Sequence, residues 1–545
     1  MDNARQENHG DLDRMASGDM EELRAQYGPA YRWFVAAAGV TGTISMVLSA
    51  TIVNVAVPSA MGAYGIGQDQ AQWMATAFIA TMVASQLLAA WFIDALGERM
   101  TYTFIAILFI FGSWLCYLSP TFEILIIGRV IQGLPAGIIQ PMMMSVIFRA
   151  FPSDERGFAM GVYSTGLMIS PMLGPVAGGY IIDEMSWRHI FLFPLPFCAI
   201  ALLLGFFFLP GGWRLRRLPR FDWSSYILLV ATVFMLLSAL GNGQRYGWSS
   251  NYILVSFMAA FAMGAWFVAL QLRSSSPLLD FSLFNNAQFA SAVFVYFVFG
   301  MGNFASNYII PVFVQEVQHF SATLSGLVLL PAGIMVVCLV SFFGRMTDFV
   351  QPHYMVMFGL TMFAIGSLLM NGSDVNTTFW TFAIFVMISR FGMSLILPAL
   401  NTAALRALSS EELNKGSGTI NFTRQLGGAF GVSGVVVFME QRTQFHVDAL
   451  AATQTPGNTI SRDLLDQVGL LLGEFGVPAA IRESGALHYL GDVVTAQAST
   501  LGFKDGFLII SIVYIAALLP AWVLGRSRPP IASETVSKSA EPTPN

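Results

Sequence analysis

Charge is what this sequence has least of. Asp, Glu, Lys and Arg make up 11% of its 545 residues, where a water-soluble domain carries roughly 25%. That shortage, set against 55% hydrophobic residues, excludes a large soluble enzyme. Cysteine is scarce as well. Cys116, Cys198 and Cys338 each lie inside an apolar run, and no two are closely spaced. Neither a disulfide framework nor a zinc site is indicated. His9, His189, His319, His353, His446 and His488 all fall outside the middles of the runs, so a buried metal site has no support and no cofactor is expected. No Gly-x-x-x-x-Gly-Lys-Ser/Thr stretch occurs, which removes the phosphate cradle of a nucleotide-driven pump. No Asp or Glu stands at mid-depth in an apolar run, so a membrane enzyme built on paired carboxylates is unsupported too.

What is present is apolar sequence in lengths that fit a bilayer, whose core takes about 20 residues per helix. Fourteen runs lie near 34–57, 71–93, 102–119, 122–148, 158–181, 190–210, 222–241, 252–272, 288–312, 324–344, 354–371, 377–402, 416–439 and 506–525. In hydrocarbon the backbone must satisfy its own hydrogen bonds, so each run is expected to be a helix. The fold class expected is therefore an all-α membrane protein. The basic residues set its orientation. With the N-terminus placed in the cytoplasm, eighteen Lys and Arg fall on that side, six fall outside, and Arg129, Arg390 and Arg424 lie within helices. Both termini are then cytoplasmic, in the inner (plasma) membrane. The acidic first 22 residues (Asp2 to Glu22) read as a solvated tail without the pattern of a secretory leader.

Weak repeats suggest two related halves. Asn54 and Pro58 recur as Asn307 and Pro311, Ala90 and Asp94 echo in Gly344 and Asp348, and Arg129 recurs as Arg390, all at shifts of 253 to 261 residues. Two pseudo-symmetric six-helix bundles around a midplane site are the build of rocking transporters. The expected organisation is a tail at 1–33, an N-terminal bundle at 34–210, and a linker with two inserted helices at 211–287. A C-terminal bundle at 288–525 and a tail at 526–545 complete it. The second bundle carries a polar extracytoplasmic loop at 440–501, in which 459–475 has the pattern of a short amphipathic helix.

Several segments carry chemistry. Residues 90–99, AWFIDALGER, place Asp94, Gly97 and Arg99 at a helix end. A carboxylate there can latch onto a helix N-terminus or an Arg of the other bundle. Helix 4 holds RVIQGLPAG from Arg129 to Gly137, with Arg129 and Gln132 in the apolar run. An Arg at that depth faces a water-filled cavity or a partner. Helix 5 holds PMLGPVAGG from Pro171 to Gly179, and small residues so spaced allow close helix approach. Helix 13 holds SGTINFTRQLGG, in which Asn421, Arg424 and Gln425 share a face. Asn303, Asn307 and Tyr308 of helix 9 are placed to face it.

In these segments the chain resembles the fourteen-helix drug:proton antiporters of the major facilitator superfamily, the EmrB/QacA type, from helix 1 to helix 14. The resemblance implies a major facilitator fold. It implies proton coupling and gating at Asp94, Gly97, Arg99, Arg129, Glu316 and Asp348, and substrate contact at Gln132, Asn303, Asn307, Arg390, Asn421, Arg424 and Gln425. It makes Gly174, Pro175, Gly178 and Gly179 a structural antiporter motif. In the loop signature Ala90 replaces the first Gly and Ala95 an Arg; in helix 5, Pro171 replaces a Gly. The main departure is in helix 1, LSATIVNVAVP from Leu48, where Ser49 stands at the family's Asp. A serine does not titrate near neutral pH, so the proton route shifts elsewhere, with Glu316 and Asp94 the titratable candidates.

Three membrane arginines without a carboxylate at their depth would favour anions over cations. The expectation is a proton-coupled secondary transporter, not an enzyme, that exports amphipathic small molecules and prefers neutral or weakly acidic ones. The alternative is an importer of an organic anion or nutrient on the same fold. The partners implied are a small-molecule substrate, protons and the lipid bilayer, with no nucleic acid. Where the cell has an outer membrane, the resemblance also implies a periplasmic adaptor protein.

Overall fold

The computed structural model describes residues 20–525 except 67, 72, 212–221, 275–276, 321 and 456. The expected tails at 1–19 and 526–545, and the basic stretch from Arg214 to Arg220, lie outside the described residues. Helices are the only regular elements among the described residues. Thirteen are long and apolar enough to cross a membrane, and Arg156–Glu184, of 29 residues, packs among them as a fourteenth. In chain order they are α1 (Tyr31–Tyr64), α2 (Trp73–Leu96), α3 (Glu98–Leu118), α4 (Phe122–Ala150), α5 (Arg156–Glu184), α6 (Trp187–Phe208) and α7 (Trp223–Tyr246). There follow α8 (Asn251–Arg273), α9 (Ala287–Glu316), α10 (Ala322–Met346), α11 (Pro352–Asn371), α12 (Phe379–Arg406), α13 (Leu413–Ala452) and α14 (Ala479–Val523).

The helices outrun the apolar segments at several ends, because polar residues continue a helix once water can solvate its outer face. Helix also reaches back to residue 20, into the segment expected as tail. Arg24 there donates to the Ala150 carbonyl (2.6 Å) at the end of α4. Prolines stand inside α4, α9, α10 and α12, where neighbouring helices can re-satisfy the freed backbone groups.

Helices α1 to α6 pack on one another, as do α9 to α14. Small residues set the closest seams. A Cβ on Gly174 would meet Thr51 Oγ1 at 2.1 Å, and one on Gly178 would meet Ile52 Cγ1 at 3.0 Å, so both press α5 onto α1. Gly427 and Gly431 of α13 sit as tightly on the backbone of α9. Inserted helices α7 and α8 pair together, and α7 also touches α2 and α13. Phe234 stacks on Trp73 (5.1 Å), Leu229 and Val233 cluster with Val83 and Leu87, and Ser433 donates to the Leu240 carbonyl (3.4 Å). The insert thus covers the line where α2 and α13 meet.

Both described chain ends lie at one face of the bundle, here the terminus side. The halves join there. Ser145 donates to Asn414 Oδ1 (2.7 Å), Ser417 to the Pro141 carbonyl (2.9 Å), and Thr165 and Ser341 share a bond of 2.9 Å. Gly161 and Gly344 meet back to back, for a Cβ on Gly344 would lie 2.5 Å from Gly161 Cα.

At the opposite face the expected loop proves mostly helical. The 40-residue α13 runs on to Ala452, the amphipathic helix spans Thr459–Glu474, and α14 begins at Ala479. Its Ala, Leu, Gln and Glu content favours helix once solvated. These pieces form an antiparallel hairpin. At about 1.5 Å per residue, the part of α14 before its apolar run stands roughly 40 Å tall. Arg442 (2.5 Å) and His446 (2.9 Å) hold its base through Asp505.

Candidate functional site

Arg129 of α4 is fully enclosed and fully bonded. Its Nε donates to the Met74 carbonyl (2.8 Å), Nη1 to Ser49 Oγ and Gln132 Oε1 (2.9 Å each), and Nη2 to the Ser49 carbonyl (3.1 Å). The Phe78 ring faces its guanidinium at 4.2 Å. Gln132 turns its own amide to Ser113 Oγ (2.7 Å). Ser49, at the position where the resemblance implies an Asp, thus bonds the cation directly. The arginine ties α1, α2 and α4 of one half together. Though it has no carboxylate partner among the described residues, its charge is not left open to an anion, because carbonyl, hydroxyl and amide oxygens take up every nitrogen. Gln132 is likewise enclosed and away from the other half.

The second half repeats the device. Arg390 of α12 reaches back to α9, donating from Nη1 to Asn303 Oδ1 (3.0 Å) and from Nη2 to Asn307 Oδ1 (2.9 Å). Asn303 is buried, whereas Asn307 and the adjacent Tyr308 are exposed.

Arg424 of α13 differs from both. It stands where the halves touch, 5% exposed, and its Nη2 donates across to Gln140 Oε1 of α4 (3.0 Å) and to Asn421 Oδ1 (3.2 Å). Around it lie Tyr163, whose hydroxyl donates to the Gln140 carbonyl (2.9 Å), and Tyr296, which bonds Asn401. Asn401 donates across to Ser164 Oγ (3.2 Å). Asn421 donates to the Ser417 carbonyl (3.0 Å) and Met144 Sδ (3.4 Å). Gln425, expected on the same face, is half-buried one residue on. A buried polar cluster thus spans the two halves.

The terminus-side charges divide unequally. Gly97 joins α2 to α3 with φ +79°, a conformation that favours glycine, and a Cβ there would meet nothing within 4 Å, so only the backbone demands it. Asp94 is half-buried in the last turn of α2. Arg99 donates from Nε to the Leu209 carbonyl (2.7 Å) at the end of α6, within its own half. The neighbouring Glu98 pairs with Arg149 and is 4% exposed, and its buried Oε2 has no hydrogen-bond partner among the described residues. Asp348 reaches across the halves. Its Oδ1 accepts from the Gly157 N–H (2.6 Å) and its Oδ2 from the Phe158 N–H (3.0 Å), at the N-terminus of α5. Arg406 Nη2 adds 3.0 Å from the same half. Burial raises the Asp348 carboxyl above its ordinary pKa, against the pull of the two N–H groups and Arg406. Glu316 ends α9, exposed, at the far face. Gly174 and Gly178 lie in the α1–α5 seam, and a Cβ on Gly179 would meet nothing within 4 Å. The side chain of Pro175 lies outside the described residues.

Sequence reading missed Gln140, Tyr163, Ser164, Tyr296, Asn401 and Glu98. All but Glu98 are polar residues in apolar runs, and the cost of burying a polar group in a membrane was the signal that could have marked them.

The profile of the Major Facilitator Superfamily matches residues 39–432. Multidrug export protein EmrB of Escherichia coli (strain K12) is 27% identical over 497 residues, 90% of this chain and 94% of that protein. Multidrug transporter protein MdtP of Bacillus subtilis (strain 168) is 30% identical over 400 residues, 73% of each chain. Among solved structures, a double-Trp mutant of XylE aligns with a TM-score of 0.58 at 12% identity, covering 91% of this chain and 96% of that one. The human organic anion transporter MFSD10 aligns with a TM-score of 0.56 at 14% identity, covering 89% and 99%. At such identities these two likenesses speak to the fold alone.

Proposed function

The chain belongs to the Major Facilitator Superfamily, and from that premise we propose that it exports amphipathic small molecules against their gradient by proton-coupled alternating access. It is a multi-pass membrane transporter and not an enzyme. Relatives named as multidrug exporters along nine-tenths of the chain support efflux as the direction. The observation that carries the mechanism is the closed terminus-side gate, where Asp348 caps α5 and Gly161 meets Gly344 across the halves. One face is sealed by contacts that a rocking motion can break and remake. The basic residues favour putting that face in the cytoplasm of the inner (plasma) membrane.

Substrates on this reading are neutral or weakly acidic, since the arginine at the junction of the halves, Arg424, has neutral partners. With Ser49 bonded to Arg129, proton coupling falls to carboxylates elsewhere. Asp348 is the candidate we favour, because it is buried and its bonds cross the moving boundary. The far-face hairpin is the place for a periplasmic adaptor in a cell with an outer membrane.

The test is efflux of a fluorescent weak acid and of a lipophilic cation from expressing cells, with and without an uncoupler. Uncoupler-sensitive export of the acid supports the reading. Accumulation instead of export would make the protein an importer. Export of the cation alone would remove the substrate preference.

A further inference from the structure

We propose that Arg424 is the residue that grips the acidic group of an amphipathic anion, and that Gln140 displaces the anion from it as the terminus-side gate closes. The proposal rests on the exporter reading above and names the atoms that would give it direction.

The three membrane arginines are bonded to different extents. All three nitrogens of Arg129 are taken up, by three acceptors in its own half and Gln132. Arg390 uses Nη1 and Nη2, on α9 of its own half. Arg424 uses Nη2 alone, and among the described residues its Nε and Nη1 carry no hydrogen bond. The residue is 5% exposed with two idle nitrogens, and each of its bidentate faces, Nε with Nη2 or Nη1 with Nη2, is held shut only by the bonds on the shared Nη2. A guanidinium offers two parallel N–H groups that match a carboxylate or sulfonate. The partners Arg424 does have, Gln140 and Asn421, are neutral. The titratable groups that bear on it are Tyr163 of α5 and Tyr296 of α9. Beside the polar group lies Met144, whose Sδ accepts from Asn421 and whose thioether chain suits the apolar body of an amphiphile.

The bond to Gln140 makes the site depend on conformation. Gln140 belongs to α4 and Arg424 to α13, so the bond exists only while the halves are closed at this face. When they part, Arg424 keeps Asn421 and loses Gln140, and the fork is open to an anion arriving from the terminus side. When they close, the amide oxygen returns to Nη2 and competes with the bound acid. The anion is then held in one state and expelled from the other. That difference in affinity is what a ligand needs to shift, or be carried by, a two-state equilibrium.

The experiment reconstitutes the full chain in proteoliposomes and compares export of carboxyfluorescein with that of neutral N-phenyl-1-naphthylamine. In R424Q the acid-to-neutral export ratio should fall roughly tenfold. R424K, with charge but no fork, should recover part of it. In Q140L the acid should bind with a lower KM and leave with a lower kcat, while the neutral probe shows no such split. An unchanged ratio in R424Q overturns the proposal, as does an acid KM in Q140L equal to or above that of the wild type. Should R424Q lose both probes, R424K decides: neutral export with a raised acid KM supports the proposal, and loss of both overturns it. Wild-type protein that exports only the neutral probe overturns the proposal and leaves the exporter reading standing. Wild-type protein that exports neither removes both.

Discussion

Arg129 and Arg424 are one residue type in two situations, and bonding separates them. Replacing Arg129 by Leu would strip the side-chain oxygens of Ser49 and Gln132 of the N–H donor they share. A buried acceptor so orphaned costs about 1–3 kcal/mol. Arg129→Leu should therefore lower the melting temperature and the yield of folded protein in detergent, measured by fluorescence-detected size exclusion. Ser49→Asp tests the same site from the other side. It would set a carboxylate beside Nη1, 2.9 Å from the present hydroxyl, and give the N-terminal half a titratable group in its core. Export by S49D should become more sensitive to the imposed pH gradient than export by the wild type. At Asp348 the sign of the pH effect follows from burial. Its carboxyl in the closed gate has a pKa raised above the ordinary range, whereas a carboxyl freed by opening returns towards about 4. The closed form then holds the proton more tightly. Its extra stability is present at low pH and is lost as pH rises through the raised value. Cross-linking of T165C with S341C should fall as pH rises from the ordinary carboxyl range through that raised value, and Asp348→Asn should flatten the profile.

At the scale of elements, the fourteen spans were legible because a bilayer demands long apolar runs and little else. The halves were legible in the repeats of Asp94 as Asp348 and Arg129 as Arg390. The sequence could not say which charge reaches the other half. Asp348 crosses to α5, while Arg99 caps α6 inside its own half, and both contacts follow from how the helices dock. The Gln140–Arg424 and Ser164–Asn401 bonds were hidden for the same reason, since spacing along one helix carries no information on its partner in the other half. The hairpin was missed because its polar residues read as loop, although they are good helix formers. Gly344 supplies a test at this scale. A methyl group there would strike Gly161 Cα at 2.5 Å, so Gly344→Ala should hold α10 off α5. The T165C–S341C cross-link should form several-fold more slowly in that background, and transport should slow with it. Unchanged cross-linking would mean that the seam gives way elsewhere.

For the molecule as a whole, α7 is fastened to both halves. Its apolar cluster with α2 and the Trp73–Phe234 stack are more extensive than the Ser433–Leu240 bond to α13. The insert should travel with the N-terminal half and slide over α13. A disulfide between L240C and S433C should arrest export, and one between W73C and F234C should leave it running. Export by both oxidised proteins would show that α7 moves with neither half.

The far-face hairpin is built wholly from α13, α14 and the helix between them, so it is a lever arm clamped to one half. If the C-terminal half tilts by about 10°, a rod of roughly 40 Å carries its tip through about 7 Å. A rearrangement of a few ångströms inside the membrane is thereby magnified outside it. A single dye near Phe475, read against another on the N-terminal half, would act as a pointer for each stroke of the cycle. Anything seated on that tip would feel the same displacement.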